Sequence, residues 1–170
     1  TFDNRDLDIT LSPAIEFNLL PYSESTRREL RFLYRIGPNF VNYQEVTIFD
    51  KTSETLFGEE LSISYETKQP WGSVEVELEG SHFFHDFSKN RLQLFGELEI
   101  RLFKGLSLDI FGSVSRIRDQ LSLRKGGATP EEILLRRREL ATSFRYFGSV
   151  RLSFTFGSIY SNVVNPRFGR

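Results

Sequence analysis

The chain has 170 residues, with 22 Lys and Arg against 23 Asp and Glu and a formal net charge of −1. That balance gives no electrostatic pull towards nucleic acid or an acidic partner. The absence of cysteine excludes a disulfide framework, a thiol nucleophile and any Cys-based metal site. Phe is abundant at 17, beside six Tyr and one Trp, yet no apolar run approaches the roughly 20 residues of a spanning helix. If the chain crosses a membrane, it does so with strands. It opens at Thr1 without a charged and apolar leader, so any signal peptide is expected to be removed or to lie upstream.

Period-two alternation, the mark of strands with one apolar face, runs through almost the whole chain. Over 7–19, Leu7, Ile9, Leu11, Ile15, Phe17 and Leu19 oppose Asp8, Thr10, Ser12, Glu16 and Asn18. The next strand, 27–45, carries Leu30, Phe32, Tyr34 and Ile36; 58–69 carries Leu61, Ile63 and Tyr65. Over 72–84, Val74, Val76 and Leu78 face away from Glu75, Glu77 and Glu79. The clearest case is 91–102, where Leu92, Leu94, Gly96, Leu98, Ile100 and Leu102 oppose Arg91, Gln93, Phe95, Glu97, Glu99 and Arg101. Strands over 106–124 and 132–157 complete seven, the last in phase from Leu140 to Phe156. Reading Phe147-Gly148 as a hairpin turn makes eight. Tight connections (21–25, 69–72, 103–105) alternate with longer ones (46–57, 85–90, 125–132), so each kind gathers at one end. Residues 1–157 form one all-β domain and 158–170 its C-terminal tail.

Short turns at one end and long loops at the other are the build of outer-membrane barrels. Three further features favour an antiparallel transmembrane β-barrel over a soluble barrel or sandwich. The apolar faces have similar lengths. Gly80, Gly96, Gly112 and Gly148 lie on that face, where they would leave holes in a packed core. Aromatics gather at strand ends, with Tyr22, Trp71, Phe103 and Phe156 as interfacial residues and Phe40, Tyr43, Phe83, Phe84 and Tyr160 near them. The lumen then receives Glu16, Glu29, Arg31, Arg35, Glu66, Lys68, Glu75, Glu77, Glu79, Glu97, Glu99, Arg101, Asp109, Arg145 and Arg151. Such charges either pair across a narrow, filled interior or line a water-filled pore without strong ion preference.

Several stretches carry a resemblance: 21–28 (PYSESTRR), 69–73 (QPWGS), 101–105 (RLFKG), 118–120 (RDQ), 134–138 (LLRRR) and 156–168 (FGSIYSNVVNPRF). Through most of its length the chain resembles an uncharacterised family of outer-membrane β-barrel proteins from diderm bacteria. The resemblance implies the outer membrane as location, further N-terminal strands and a signal peptide in longer members, and no settled biochemical role. It also implies that Phe168 is the terminal aromatic read during insertion.

Candidate chemistry is sparse. Ser81, His82, His85 and Asp86 are the one local group of catalytic residue types, but His82 falls in the apolar phase, away from Ser81. Two histidines do not make a metal site. Arg136, Arg137 and Arg138 sit on an expected strand extension paired with 117–124, where alternation sends them to different faces. The expected function is a pore or structural membrane component, without cofactor, metal or catalysis. The alternatives are a membrane-anchored subunit of a larger envelope complex and, third, a rim hydrolase. The expected partners are the lipid bilayer and other strands or subunits. Seven strands ending at the periplasmic side place the first strand's start outside. Since single-chain bacterial barrels have an even number, an odd number of strands is expected upstream or from another chain.

Overall fold

A computed structural model of the protein describes residues 2–126 and 140–155. It is all-β, one antiparallel sheet of eight strands. They are β1 (Arg5–Thr10), β2 (Ala14–Asn18), β3 (Arg28–Tyr43), β4 (Ser53–Gln69), β5 (Gly72–Phe83), β6 (Asp86–Phe103), β7 (Leu106–Ile117) and β8 (Phe144–Phe154). The order across the sheet is β1-β3-β4-β5-β6-β7-β8, with β2 also on β3. No pairing joins β8 to β1 or β2 among the described residues, and the sheet is not closed into a barrel.

The expected strand over 7–19 is two strands in line. Pro13 has no N–H to give to a ladder, so the strand is interrupted between Thr10 and Ala14, with β1 and β2 holding the same register against β3. Leu11 N still donates to Pro38 O (3.0 Å) and Ile36 N to Pro13 O (3.3 Å). Phe147-Gly148 is not a turn; it lies inside β8, opposite Ser113 and Gly112. Two expected long connections are shorter than the sequence suggests. β4 begins at Ser53, and β5 turns into β6 through Phe84-His85, with a bulge that sets Phe83 against Asp86. The strand expected over 106–124 ends at Ile117, and 118–126 leaves the sheet. Its expected partner, 134–139, lies outside the described residues.

The registers sort the side chains onto two faces. Phe17, Phe32, Ile63, Leu78, Leu94, Val114 and Tyr146 form one apolar row across the sheet. On the opposite face Glu29, Glu66, Glu75, Glu97, Phe111 and Ser149 form another. The buried hydrophobics gather on the polar face, whose charged residues are otherwise half-buried or exposed. Among the described residues these hydrophobics are Val41, Tyr43, Leu56, Ile117 and Leu121, all on or above that face at one end. The apolar face is open: Leu94 is 48% exposed, Leu152 64% and Val150 72%.

Two kinds of glycine follow. At Gly37, on the polar face, a Cβ would stand 1.9 Å from Leu11 O, where the chain between β1 and β2 tucks in. At Gly112, on the apolar face, the nearest atom to such a Cβ is Phe147 O at 3.9 Å. Gly37→Ala should therefore lower stability by about 2 kcal/mol through overpacking. Gly112→Ala should change it by less than about 0.5 kcal/mol, as an open surface site does. Urea unfolding of the two variants in detergent micelles checks the contrast.

Candidate lumen wall and its closed end

The fifteen charges assigned to the lumen from the sequence all share the polar face by register, on β2 through β8. Glu60, Arg91 and the loop residue Asp119 join them. Arg35 Nη1 meets Glu60 Oε1 at 2.6 Å, and Lys68 Nζ meets Glu66 Oε1 at 2.6 Å. Arg91 forms a fork on Asp119, its Nε 2.9 Å from Oδ2 and its Nη2 3.1 Å from Oδ1. Fork geometry of this kind is directional as well as charged. Near the tight turns the wall is acidic. Glu29, Glu66, Glu75 and Glu97 stand directly opposite one another across β3 to β6. Like charges so placed are unfavourable, and Arg31 and Lys68, two residues along from Glu29 and Glu66, offset part of the cost. The face is not purely polar. Phe95, Phe111 and Phe147 stack edge to face across β6, β7 and β8, with centroids 5.1 and 5.5 Å apart.

The end bearing the β3–β4 hairpin is closed over. After β7, Arg118 N donates to Asn90 O, and 119–125 crosses to the hairpin. Ile48 N donates to Leu123 O (2.8 Å) and Lys125 N to Val46 O (2.9 Å), around a bridge between Thr47 and Arg124. Asn4 ties the crossing together and is 1% exposed. Its Nδ2 donates to Glu45 O (3.0 Å) and Ser122 O (2.9 Å), and its Oδ1 accepts from Glu45 N (3.0 Å) and Arg124 Nε (3.1 Å). An amide that donates twice and accepts twice suits this junction. Asn is also among the few residues that tolerate its φ of 62°. Beneath lie Val41, Tyr43, Leu56 and Leu121, with Phe83 packed against them. Below these is a cavity of about 240 Å³ lined by Arg35, Asn39, Glu60, Ser81, Phe83 and Asp119, among others.

On the apolar face, near the same end, Tyr34 donates its hydroxyl to Glu59 Oε2, and His82 Nε2 is 2.7 Å from Glu59 Oε1. The His82 ring lies 5.4 Å from Phe84 and 4.8 Å from Phe87. Ser81 and His82 thus point to opposite faces, and Asp86 accepts from the backbone N–H of Ser88 instead of meeting His85. At the other end, Tyr22, Trp71 and Phe103 sit at or beside the turns and are exposed. There the guanidinium of Arg28, hydrogen-bonded to Glu24, holds that carboxyl below its ordinary range. Tyr43 and Phe83, expected among the interfacial aromatics, instead turn inward to the buried cluster, because their positions fall in the polar phase. Phe156, Tyr160 and Arg136 to Arg138 lie outside the described residues.

Comparison with protein-family models, with curated proteins and with solved structures finds no match. The Asn4 junction is directly testable. Asn4→Ala leaves several buried backbone and side-chain groups without a partner and should cost about 2–3 kcal/mol. Trypsin cleavage after Arg124 and Lys125 should speed up at least about tenfold, since cleavage follows the population of the opened segment.

Proposed function

We propose that this chain forms the wall of a transmembrane β-barrel in a bacterial outer membrane, acting as a pore or structural membrane component rather than an enzyme. One observation carries the reading: the apolar face of the sheet lies uncovered among the described residues, while the few buried hydrophobics gather at one end of the polar face. In water a single-layer sheet of this polarity would leave its apolar face uncovered, whereas lipid solvates it. The apolar stretch on β6, Leu92 to Leu102, matches the roughly 9–11 residues of a tilted spanning strand. Exposed aromatics near both ends of the sheet agree with girdles at two interfaces. Ser81 and His82, on opposite faces, lend a rim hydrolase no support.

The bridged end and the paired charges favour a filled lumen over an open one. What current passes should be carried by cations, because the Glu29–Glu66–Glu75–Glu97 row faces the interior. This departs from the lack of strong ion preference expected for an open pore lined by charges of both signs. In planar bilayers the protein should show little conductance, and Asn4→Ala should raise it. The reversal potential in a salt gradient should mark cation selectivity that Glu75→Gln/Glu97→Gln reduces. Anion selectivity, or a monodisperse, folded protein in detergent-free buffer, would contradict the proposal. The hairpin end carrying Lys125 is read as extracellular, and the turns carrying Trp71 and Lys104 as periplasmic. Amine labelling of whole cells should modify Lys125, and labelling at Lys104 alone would reverse the assignment.

A further inference from the structure

The two edges of the sheet are unequal. The β1–β2 edge is made of six and five residues, interrupted at Leu11-Ser12-Pro13. That is how natural sheets blunt an edge. β8 is different: eleven residues without proline, paired only on the β7 side among the described residues. Its outward row, Tyr146, Gly148, Val150, Leu152 and Phe154, continues the apolar face, with Tyr146 77% and Val150 72% exposed. Its inward row carries Arg145 and Arg151. Arg145 faces Ser115 on β7 and Arg151 faces Asp109, and neither makes an ion pair within 4 Å among the described residues. Over 144–152 this long, regular, apolar edge has no second strand partner among the described residues, which makes it a template for an added strand.

We propose that β8 is a strand-docking edge whose occupant is one amphipathic strand antiparallel to it. That strand is apolar on the outer face and acidic at the inner positions opposite Arg145 and Arg151. The charge follows from the two guanidinium groups: opposite charges across a strand pair are favourable and like charges unfavourable. The direction follows from the sheet, in which every pairing is antiparallel. A second copy placed with the same orientation in the membrane would instead offer its β1–β2 edge. Counted through the sheet order, that edge runs parallel to β8, and it is broken at Pro13. The docked strand would satisfy the β8 backbone inside lipid, where unpaired groups are not tolerated. The inference rests on the membrane reading above.

The absence of native cysteine allows a single spin label at Ser149→Cys, between the two arginines. The full chain, refolded into phosphatidylcholine vesicles, is titrated with two synthetic eleven-residue strands. Both alternate Val and Leu with polar residues; one has Asp at the two positions facing the arginines, the other Lys. The Asp peptide should immobilise the label and bind about tenfold more tightly than the Lys peptide, and Arg145→Glu/Arg151→Glu should invert that preference. Equal binding of both peptides, or binding of neither, would overturn the proposal. So would immobilisation that rises with protein concentration before any peptide is added, which would assign the edge to a second copy. In the same vesicles, quenching of the single tryptophan, Trp71, by brominated lipid reports the membrane reading separately. Quenching without peptide binding sinks the edge alone, and no quenching sinks the membrane wall.

Discussion

An antiparallel sheet that keeps one apolar face must find a solvent or a second layer for it, and among the described residues no second layer covers the apolar side. Most domains solve the problem by packing another sheet or a helix against the apolar side. This chain turns the solution over. Its few buried hydrophobics gather on the polar side, under the segment that follows β7, while rows such as Phe32-Ile63-Leu78-Leu94-Val114 face outward. Paired charges within, exposed aromatics near both sheet ends and the intolerance of unpaired edges all become consistent once the medium outside is hydrocarbon.

The enclosed side has its own logic. At the turn end it is acidic and open; at the hairpin end it is bridged and partly buried. Asn4 joins the residues before β1, the β3–β4 hairpin and the segment after β7 through partners 41 and 118 residues away in sequence. That junction puts a small hydrophobic core above a polar cavity, so the wall and the closure of its end are parts of one structure. The outward Tyr34–Glu59–His82 network stands near the same end, beside Phe84 and Phe87. Buried in lipid such groups would be costly; on the proposed membrane reading their place beside Phe84 and Phe87, near the end of the sheet, would keep them close to water.

Strand identity and facing were legible because period two is enforced everywhere: a slip of one residue would exchange the faces. Hence Glu75, Glu97, Asp109 and Arg151 share a face as the alternation requires. What escaped depends on contacts that alternation does not encode. Pro13 broke a strand whose pattern ran on across it. Residues 118–124 kept a strand-like pattern, yet the junction with Asn4 and Thr47 drew them away from β7. Glu59 and His82 interrupt the apolar phase and look like noise until the register sets them side by side. Phe95, Phe111 and Phe147 sit in the polar phase of three strands, and only pairing shows that they stack. Residues 134–139, read from sequence as a strand extension, and the tail 158–170 lie outside the described residues.

The face polarity can be measured most directly by a spin-label scan along β6. Each residue from Arg91 to Leu102 is replaced in turn by cysteine, labelled, and read for access to dissolved oxygen and to a water-soluble nickel chelate in lipid vesicles. The expected result is a two-residue alternation, with oxygen access highest at 92, 94, 96, 98, 100 and 102 and nickel access confined to the residues between them. Nickel access at the even positions, or labels there that are immobile and shielded from both reagents, would mean that the apolar face meets water or a protein layer, and would contradict the membrane wall.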